Sequence, residues 1–333
     1  MIKNRQYLLA KRPEGVVTEE TFRLIETELE AVGEGEILVE NLYLSLDPAM
    51  RGWLSTAKSY IPPVQVGEVM RALGVGRVIE SRNREFSIGD HVSGPLGVQD
   101  YYKGTAEGFY RVDPSVAPLP RYLSALGMTG LTAYFGLLDV GQPVAGNTVV
   151  ISGAAGAVGS VAGQLAKLKG CRVIGIAGGQ EKCRYLIGEL GFDGAIDYKH
   201  EDLRGALKRE CPKGVDLYFD NVGGDTLDAV LARLNLRARV VICGAISQYN
   251  SSSGIKGPAN YLSLLANRAR MEGMVVTDFV HRYADALDDL SRWLASGQLK
   301  SREDIAQGLE NFPENLGRLF CGDNFGKLVL RLR

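Results

Sequence analysis

The stretch from Val149 to Cys171 constrains the fold of this chain more than any other. It opens with a β-branched run at 149–151, turns through a glycine-rich segment at 152–156 and continues with apolar residues at helical spacing. A strand, a glycine turn and a helix present the helix N-terminus to a phosphate, because backbone N–H groups and the positive end of the helix dipole point there. The spacing Gly153-x-x-Gly156-x-x-Gly159 differs from the strict G-x-G-x-x-G fingerprint. The turn therefore favours a dinucleotide site, with a glycine turn in another kind of α/β protein as the alternative.

The sequence after residue 123 alternates predicted strands with predicted helices. The predicted strands are 172–176, 195–196, 217–219, 239–242 and 273–276, and the predicted helices include 131–138, 181–190, 226–234 and 283–295. Repeated βα units of this kind predict an α/β fold with a doubly wound parallel Rossmann sheet. Residues 1–122 are instead β-rich, and the strand-like run 327–332 is expected to return to them. We therefore predict a cofactor domain at 123–296, inserted in a discontinuous domain of 1–122 plus 297–333.

Charge and composition exclude several classes of partner. The 333 residues carry a net charge of −1 and no long basic block, so neither nucleic acid nor an anionic membrane surface is an expected partner. No apolar run approaches the roughly 18 residues of a membrane-spanning helix, and the N-terminus is too polar for a secretory signal. The five cysteines lie in the second half and form no C-x-x-C pair, which favours a cytoplasmic protein with reduced thiols. No cysteine, histidine and aspartate cluster has metal-site spacing, so no metal is expected.

The end of the second Rossmann strand distinguishes NADP from NAD. In NAD sites an acidic residue, about 20 positions past the glycines, binds the ribose diol. Here the strand ends in the sequence Ala177-Gly178-Gly179-Gln180-Glu181-Lys182, with no acid at its tip. A lysine attracts the 2′-phosphate of NADP, whereas a carboxylate repels it. We therefore predict NADPH as the cofactor and Lys182 as a phosphate ligand; alone, Lys182 would be interpreted as a solvated surface lysine.

Eight sequence blocks, spread in order over nearly the whole chain, resemble one family. They are LSLDPAMRGWL (44–54), GEVMRALGVGRVIES (67–81), LGMTGLTAYFGLL (126–138), AAGAVGSVAGQLAKLKGC (154–171), DLYFDNVGG (216–224), ICGAISQYN (242–250), RMEGMVV (270–276) and GDNFGK (322–327). They resemble the zinc-independent medium-chain dehydrogenases/reductases, in the branch of prostaglandin, alkenal double-bond and bacterial curcumin reductases. The resemblance implies a Rossmann NADP-binding domain and a β-rich, GroES-like catalytic domain.

The resemblance also implies a set of cofactor contacts. The pyrophosphate is expected at Gly156, Ala157, Val158 and Gly159, and the 2′-phosphate at Lys182 and Tyr198. Asn221 is expected near the ribose. The nicotinamide side is expected to be lined by Cys243, Gly244, Ala245, Ile246, Ser247, Tyr249, Met274, Val275 and Val276, and Thr132 and Asn324 to close the cofactor cleft. Without the resemblance, Asn221 and Asn324 would be interpreted as turn residues and Tyr249 as an exposed loop tyrosine.

The missing zinc ligands narrow the expected reaction. The chain has no cysteine before Cys171, and Gly67-Glu68-Val69 stands where the zinc enzymes have glycine-histidine-glutamate; His91 alone cannot build a site. A metal-free hydride donor suits α,β-unsaturated aldehydes and ketones, whose β-carbon is already electrophilic. The resemblance implies that Tyr249 assists by stabilising the enolate oxygen. We therefore expect an NADPH-dependent 2-alkenal/enone reductase acting on a small enal or enone.

Two alternatives stay open at this point. A quinone reductase would share the fold and the NADPH site, and a non-catalytic NADPH-binding protein would resemble the lens crystallins among the relatives. Two departures from the family concern the substrate side: Ala49 replaces a common tyrosine, and Val98 lies near a common tryptophan, so a wider pocket is expected. Family members are commonly dimers, and a homodimer is expected, although no sequence feature marks its interface.

Overall fold

A computed structural model describes residues 2–333. Its contacts divide the chain into two compact units. The β unit comprises residues 2–123, Asn250–Ser252 and Glu303–Arg333, and the α/β unit comprises Ser124–Tyr249 and Ser253–Arg302.

The regular elements are these. The strands are β1 Ile2–Leu9, β2 Phe22–Leu29, β3 Glu36–Ser45, β4 Gly74–Ser81, β5 His91–Gly94, β6 Tyr101–Thr105, β7 Tyr110–Arg111, β8 Thr148–Ser152, β9 Arg172–Ala177, β10 Gly194–Asp197, β11 Val215–Asp220, β12 Leu234–Ile242, β13 Arg270–Gly273, β14 Glu303–Gln307 and β15 Lys327–Arg331. The α-helices are α1 Ala49–Trp53, α2 Met128–Phe135, α3 Ala157–Leu168, α4 Gln180–Gly188, α5 Leu203–Glu210, α6 Gly224–Leu231, α7 Leu262–Ala266, α8 Tyr283–Ala295 and α9 Phe312–Cys321. Short 3-10 helices lie at Glu19–Thr21, Leu119–Leu123, Ile246–Gln248, Ala259–Tyr261, Val276–Arg282 and Leu309–Asn311, and a π-helical turn at Gly136–Gly141 follows α2.

The β unit is built on a mixed sheet with the order β14-β15-β3-β4-β5-β7, while β6 pairs with the other end of β3. A separate antiparallel hairpin joins β1 to β2. Apolar side chains from the strands and from α9 form one buried cluster, which includes Ile37, Leu44, Phe312 and Leu330. As the sequence predicts, the C-terminal strand β15 returns to this unit and pairs with β3.

A buried lysine anchors the segment that leads into α1. The side chain of Lys327 is 2% exposed, and its ammonium donates to the carbonyl of Leu46 at 2.7 Å and to Asp47 Oδ1 at 2.8 Å. Burial lowers the pKa of Lys327, and the Asp47 carboxylate opposes that effect. The start of α1 is therefore fixed to the first residue of β15.

The α/β unit contains the predicted doubly wound sheet. Its six strands are parallel, in the order β10-β9-β8-β11-β12-β13. All five residues of β8 are buried, as expected of a central parallel strand covered on both faces. Within residues 2–333, no helix combines the length and the apolar content needed to cross a bilayer.

The last strand of this sheet differs from its predicted position. The apolar run 273–276 predicted a strand, but β13 is the exposed, polar segment Arg270–Gly273, in register with β12 from Arg239 to Ile242. The apolar residues that follow turn away, and Val276 begins a 3-10 helix. The prediction was therefore wrong by three residues, because pairing with β12 determines the strand and apolar character does not.

Candidate cofactor-binding and active site

The glycine turn between β8 and α3 has the geometry of an anion site. Gly153 has φ +58°, and its carbonyl accepts from the N–H of Gly156 at 2.9 Å. Helix α3 begins at Ala157, and no side chain caps its N-terminus at Gly156. A Cβ on Gly159 would lie 2.3 Å from the Gly153 carbonyl oxygen, so only glycine fits there. The uncapped N–H groups of the first turn are therefore available to a pyrophosphate.

Asp220, at the end of β11, organises the neighbouring loop. It is fully buried, and its Oδ1 accepts from Ser152 Oγ, Tyr218 Oη, and the N–H groups of Val222 and Gly223, at 2.7–2.9 Å. Burial, together with the Asp220 charge, raises the pKa of Tyr218, so its phenol stays a proton donor. This carboxylate therefore joins the glycine turn to the loop after β11.

Asn221 is fastened to the same turn by two bonds. Its backbone N–H donates to Ser152 Oγ at 2.9 Å, and its amide Nδ2 donates to the Ser152 carbonyl at 2.7 Å. The predicted ribose residue and the predicted pyrophosphate turn are thus brought together. The sequence predicts Asn221 as a site residue but not Asp220, because an acid at a strand end looks like an ordinary turn residue.

The loop after β12 packs directly on Asn221 and its neighbours. The N–H groups of Cys243 and Gly244 donate to the Asp220 carbonyl, and that of Ile246 donates to the Asn221 carbonyl at 3.2 Å. Ser247 Oγ donates to the Val222 carbonyl at 2.7 Å. The residues predicted at 243–249 therefore form one loop beside the glycine turn.

Tyr249 ends that loop with its hydroxyl folded back on it. The Tyr249 hydroxyl oxygen accepts from the N–H of Ala245 at 3.1 Å, and a Cβ on Gly244 would lie 3.1 Å from the same oxygen. The side chain is half-buried. A phenol that accepts a hydrogen bond becomes a stronger donor, so the Ala245 N–H favours donation by Tyr249.

The predicted 2′-phosphate residues follow the ends of β9 and β10. Lys182 lies in the first turn of α4, and the ring of Tyr198 and the aliphatic end of Lys199 both lie about 3.0 Å from where a Cβ on Gly178 would be. Asp197 is buried, and it accepts from Gly179 N–H and from His200 Nδ1 at 2.7 and 2.8 Å. Burial alone would raise the pKa of Asp197, but these hydrogen bonds outweigh it and hold the pKa below its ordinary value. The Asp197 carboxylate is therefore already bonded within the protein.

Three further predicted residues follow β13 or lie on α2. The N–H of Met274 donates to the Ile242 carbonyl at 3.3 Å, which places it next to the loop after β12. The Val276 carbonyl accepts from Tyr283 Oη at 3.1 Å, and the same hydroxyl lies 3.8 Å from the sulfur of Met128 on α2. Thr132, one turn further along α2, donates to the Met128 carbonyl at 2.7 Å, so its hydroxyl already has an acceptor within the helix.

Three residues singled out in the sequence lie in the β unit. Asn324 precedes β15 there, and its amide donates to the Gly326 carbonyl at 2.9 Å; its part in binding a cofactor stays a prediction. Val98 is fully buried in the core of the β unit, and the expected widening of a pocket near it stays a prediction. Ala49 is the first residue of α1 and is half-buried. Within residues 2–333, no three His, Cys, Asp or Glu side chains are grouped to hold a metal ion.

Fold and site together define an oxidoreductase of the medium-chain dehydrogenase/reductase class, and comparisons with known proteins agree. Residues 5–112 match the family model for an N-terminal domain of oxidoreductase, and residues 157–292 match that for a zinc-binding dehydrogenase. The chain is 43% identical to the NADPH-dependent curcumin reductase of Escherichia coli K12, over 99% of this chain and 97% of that protein. It is 42% identical to the NADP⁺-dependent 2-alkenal reductase of Nicotiana tabacum, over 90% and 88%.

A solved structure gives the same result. The crystal structure of CurA from Vibrio vulnificus in complex with NADPH superposes with a TM-score of 0.94, at 45% identity and with 99% of each chain covered. The chain belongs to the medium-chain dehydrogenase/reductase family, in the branch of curcumin, 2-alkenal and prostaglandin reductases.

Proposed function

We propose that this protein is an NADPH-dependent reductase of the carbon–carbon double bond of α,β-unsaturated aldehydes and ketones. The observation that carries the proposal is a chain of neighbouring contacts. The α3 N-terminus is uncapped, Asn221 is bonded to Ser152 at the end of β8, and the loop from Cys243 to Tyr249 is bonded to Asn221 and its neighbours. The 42–43% identities to a curcumin reductase and a 2-alkenal reductase support it over a quinone reductase or a non-catalytic NADPH-binding protein.

Residues of this chain would bind the cofactor at two places, its pyrophosphate and its 2′-phosphate. The first turn of α3, from Gly156 to Gly159, would bind the pyrophosphate through backbone N–H groups. Lys182 and Tyr198 would bind the 2′-phosphate. No acidic side chain at the tip of β9 would repel that phosphate. A Cβ on Gly159 would lie 2.3 Å from the Gly153 carbonyl oxygen, so glycine at this position lets α3 start close against the turn.

The reaction needs orientation and charge stabilisation from the protein. Bound NADPH supplies a hydride to the β-carbon of the substrate. Negative charge then develops on the substrate carbonyl oxygen, and the Tyr249 phenol, polarised by the Ala245 N–H, donates a hydrogen bond to it. Protonation of the α-carbon from solvent or through Tyr249 completes the reduction. Residues 1–122 and 297–333 are proposed as the catalytic domain.

The test is turnover with a panel of enals, enones and curcumin-like dienones, followed by loss of NADPH absorbance. Oxidation of NADPH with at least one class, faster than with quinones, is expected; no turnover with any of them would refute the proposal. Tyr249→Phe should lower kcat by about tenfold or more while the Kd for NADPH stays nearly unchanged. An unaltered kcat, with hydride transfer limiting, would remove Tyr249 from the mechanism.

We also propose that the enzyme is a cytoplasmic homodimer, joined at the free edge of the α/β sheet. All four residues of β13 are exposed, and Leu262 and Leu265 of α7, the helix that precedes it in the chain, are 60% and 76% exposed. In a two-fold antiparallel pairing centred on Met271, Arg270 would face Glu272 of the partner subunit, so the edge is complementary to itself. Sedimentation should give twice the chain mass, and Met271→Lys should give the monomer; a monomeric parent protein would contradict this.

A further inference from the structure

The residue after the proposed catalytic tyrosine, Asn250, is bound by a buried arginine side chain. The chain leaves the α/β unit between Tyr249 and Asn250, and Asn250–Ser252 belong to the β unit. Whatever binds Asn250 therefore influences where the Tyr249 phenol lies. The inference drawn from this rests on the role proposed for Tyr249.

Arg51 is the residue that binds Asn250. It lies on α1 and is 8% exposed. Its Nε donates to Asn250 Oδ1 at 3.2 Å and to the Gly15 carbonyl at 3.0 Å. Its Nη2 donates to the carbonyls of Gly15 and Pro13 at 2.8 and 3.2 Å. One guanidinium thus connects α1, the segment 13–15 and Asn250.

This guanidinium is a buried charge whose bonds go to neutral oxygens. Burial lowers the pKa of Arg51, and no carboxylate in residues 2–333 is close enough to raise it. A buried charge without an ionic partner is costly, so its contribution is not explained by stability alone. The guanidinium group is planar and has several N–H donors in fixed directions, so it is instead suited to holding three chain segments in one relative position.

The residue before Tyr249 is also held. Gln248 accepts from the Lys256 N–H through Oε1 at 2.7 Å and donates to the Lys256 carbonyl through Nε2 at 3.2 Å. These two bonds close the loop 248–256 at its base. Tyr249 therefore lies between one residue fixed to its own loop and another fixed to Arg51.

We propose that Arg51 is a positioning residue for enone reduction: through Asn250 it sets the place of the Tyr249 phenol relative to the substrate carbonyl. Hydrogen-bond stabilisation of a developing oxyanion depends steeply on the donor position, and a displacement near 1 Å can cost about a hundredfold in rate. The segment 13–15 supports the same contact, because a Cβ on Gly15 would lie only 3.6 Å from the Asn250 carbonyl oxygen.

The first experiment compares three asparagine variants in the full-length enzyme. Asn250→Ala removes the acceptor for Arg51 and should lower kcat about tenfold, with the Kd for NADPH unchanged. Asn250→Asp keeps an oxygen facing the guanidinium and should stay within about twofold of the parent enzyme. Asn83→Ala, which removes an amide bonded to the Gly35 carbonyl elsewhere in the β unit, should leave kcat unchanged. Equal losses in Asn250→Ala and Asn250→Asp would overturn the proposal.

A double-mutant cycle then tests whether the effect acts through the tyrosine. In the Tyr249→Phe background, Asn250→Ala should lower kcat no further, because the group being positioned is already gone. Arg51→Lys, which retains the charge but not the fork, should behave like Asn250→Ala in both backgrounds. An equal fold-loss with and without the phenol would overturn the proposal.

Hydrogen exchange separates this proposal from the proposed function. In NADPH-free protein, Asn250→Ala should speed amide exchange in residues 249–256, whatever the enzyme reduces. Faster exchange in a protein that reduces no enone would refute the proposed function and would still support the fixing of this loop by Arg51 through Asn250. Unchanged exchange in an active enone reductase would refute only the positioning role of Arg51.

Discussion

Replacing Asp220 with alanine should destabilise the α/β unit more than any single surface change. The substitution removes an acceptor that serves four donors, and two of them, the hydroxyls of Ser152 and Tyr218, are fully buried. A buried donor left without a partner costs about 1–3 kcal/mol. Ser152 and Tyr218 lie close enough to pair with each other once the carboxylate is gone, which recovers part of the loss. We therefore expect the free energy of unfolding to fall by about 3 kcal/mol.

The positions of the two tryptophans allow unfolding of the α/β unit to be followed by fluorescence separately from the β unit. Trp53 lies in the β unit and Trp293 in α8 of the α/β unit, so in a Trp53→Phe background the fluorescence of Trp293 follows unfolding of the α/β unit. Urea titrations would compare Asp220→Ala with Asp288→Ala, an exposed aspartate of α8 whose loss should cost no more than about 0.5 kcal/mol. A loss below about 1 kcal/mol for Asp220→Ala, at an unchanged m-value, would refute the reasoning that this carboxylate organises the loop.

Three further outcomes are expected. Gly159→Ala should weaken NADPH binding at least about tenfold, because its Cβ would lie 2.3 Å from the Gly153 carbonyl, whereas Gly188→Ala, with open space around its Cβ, should not; equal affinities would contradict this. Lys182→Ala should weaken binding of NADPH by about tenfold and leave NADH binding unchanged, as measured by cofactor fluorescence, and equal losses would exclude a 2′-phosphate contact. Burial raises the pKa of the Cys211 thiol from 9.0 to about 11, so its contribution to stability is fully present below pH 9 and is lost as the pH rises toward 11. Urea titrations over this range should therefore show stability falling with pH, less steeply in Cys211→Ala, and identical slopes would be inconsistent with the shift.

The glycine turn and the sheet around it could be predicted because their signals are local. The residues of β8 are buried on both faces and follow one another in the sequence, and Gly153, Gly156 and Gly159 lie within a single turn and helix start. Five of the six parallel strands follow from the same alternation of apolar runs and helical patterns. Such patterns need no knowledge of which distant residues meet.

The contacts that organise the site depend on distant pairs and could not be predicted. Ser152 and Asp220 are 68 positions apart, and Arg51 and Asn250 are 199 positions apart. Neither Asp220 nor Arg51 belongs to a spacing that marks a binding site, so each looks ordinary until the fold brings its partners together. The position of β13 was predicted wrongly for a related reason, because its register is set by β12 and its own residues are exposed and form no apolar run.

The thiol of Cys243 bears on how such an enzyme survives its own substrates. Burial, with a smaller effect from Asp220, raises the pKa of Cys243 to about 12. At pH 7 the thiol is therefore protonated, and the reactive thiolate is a minor form. Unsaturated aldehydes and ketones alkylate thiolates by the same addition at the β-carbon that hydride undergoes. Because the Cys243 thiol stays protonated, it can lie in the proposed active-site loop without being alkylated by the substrate.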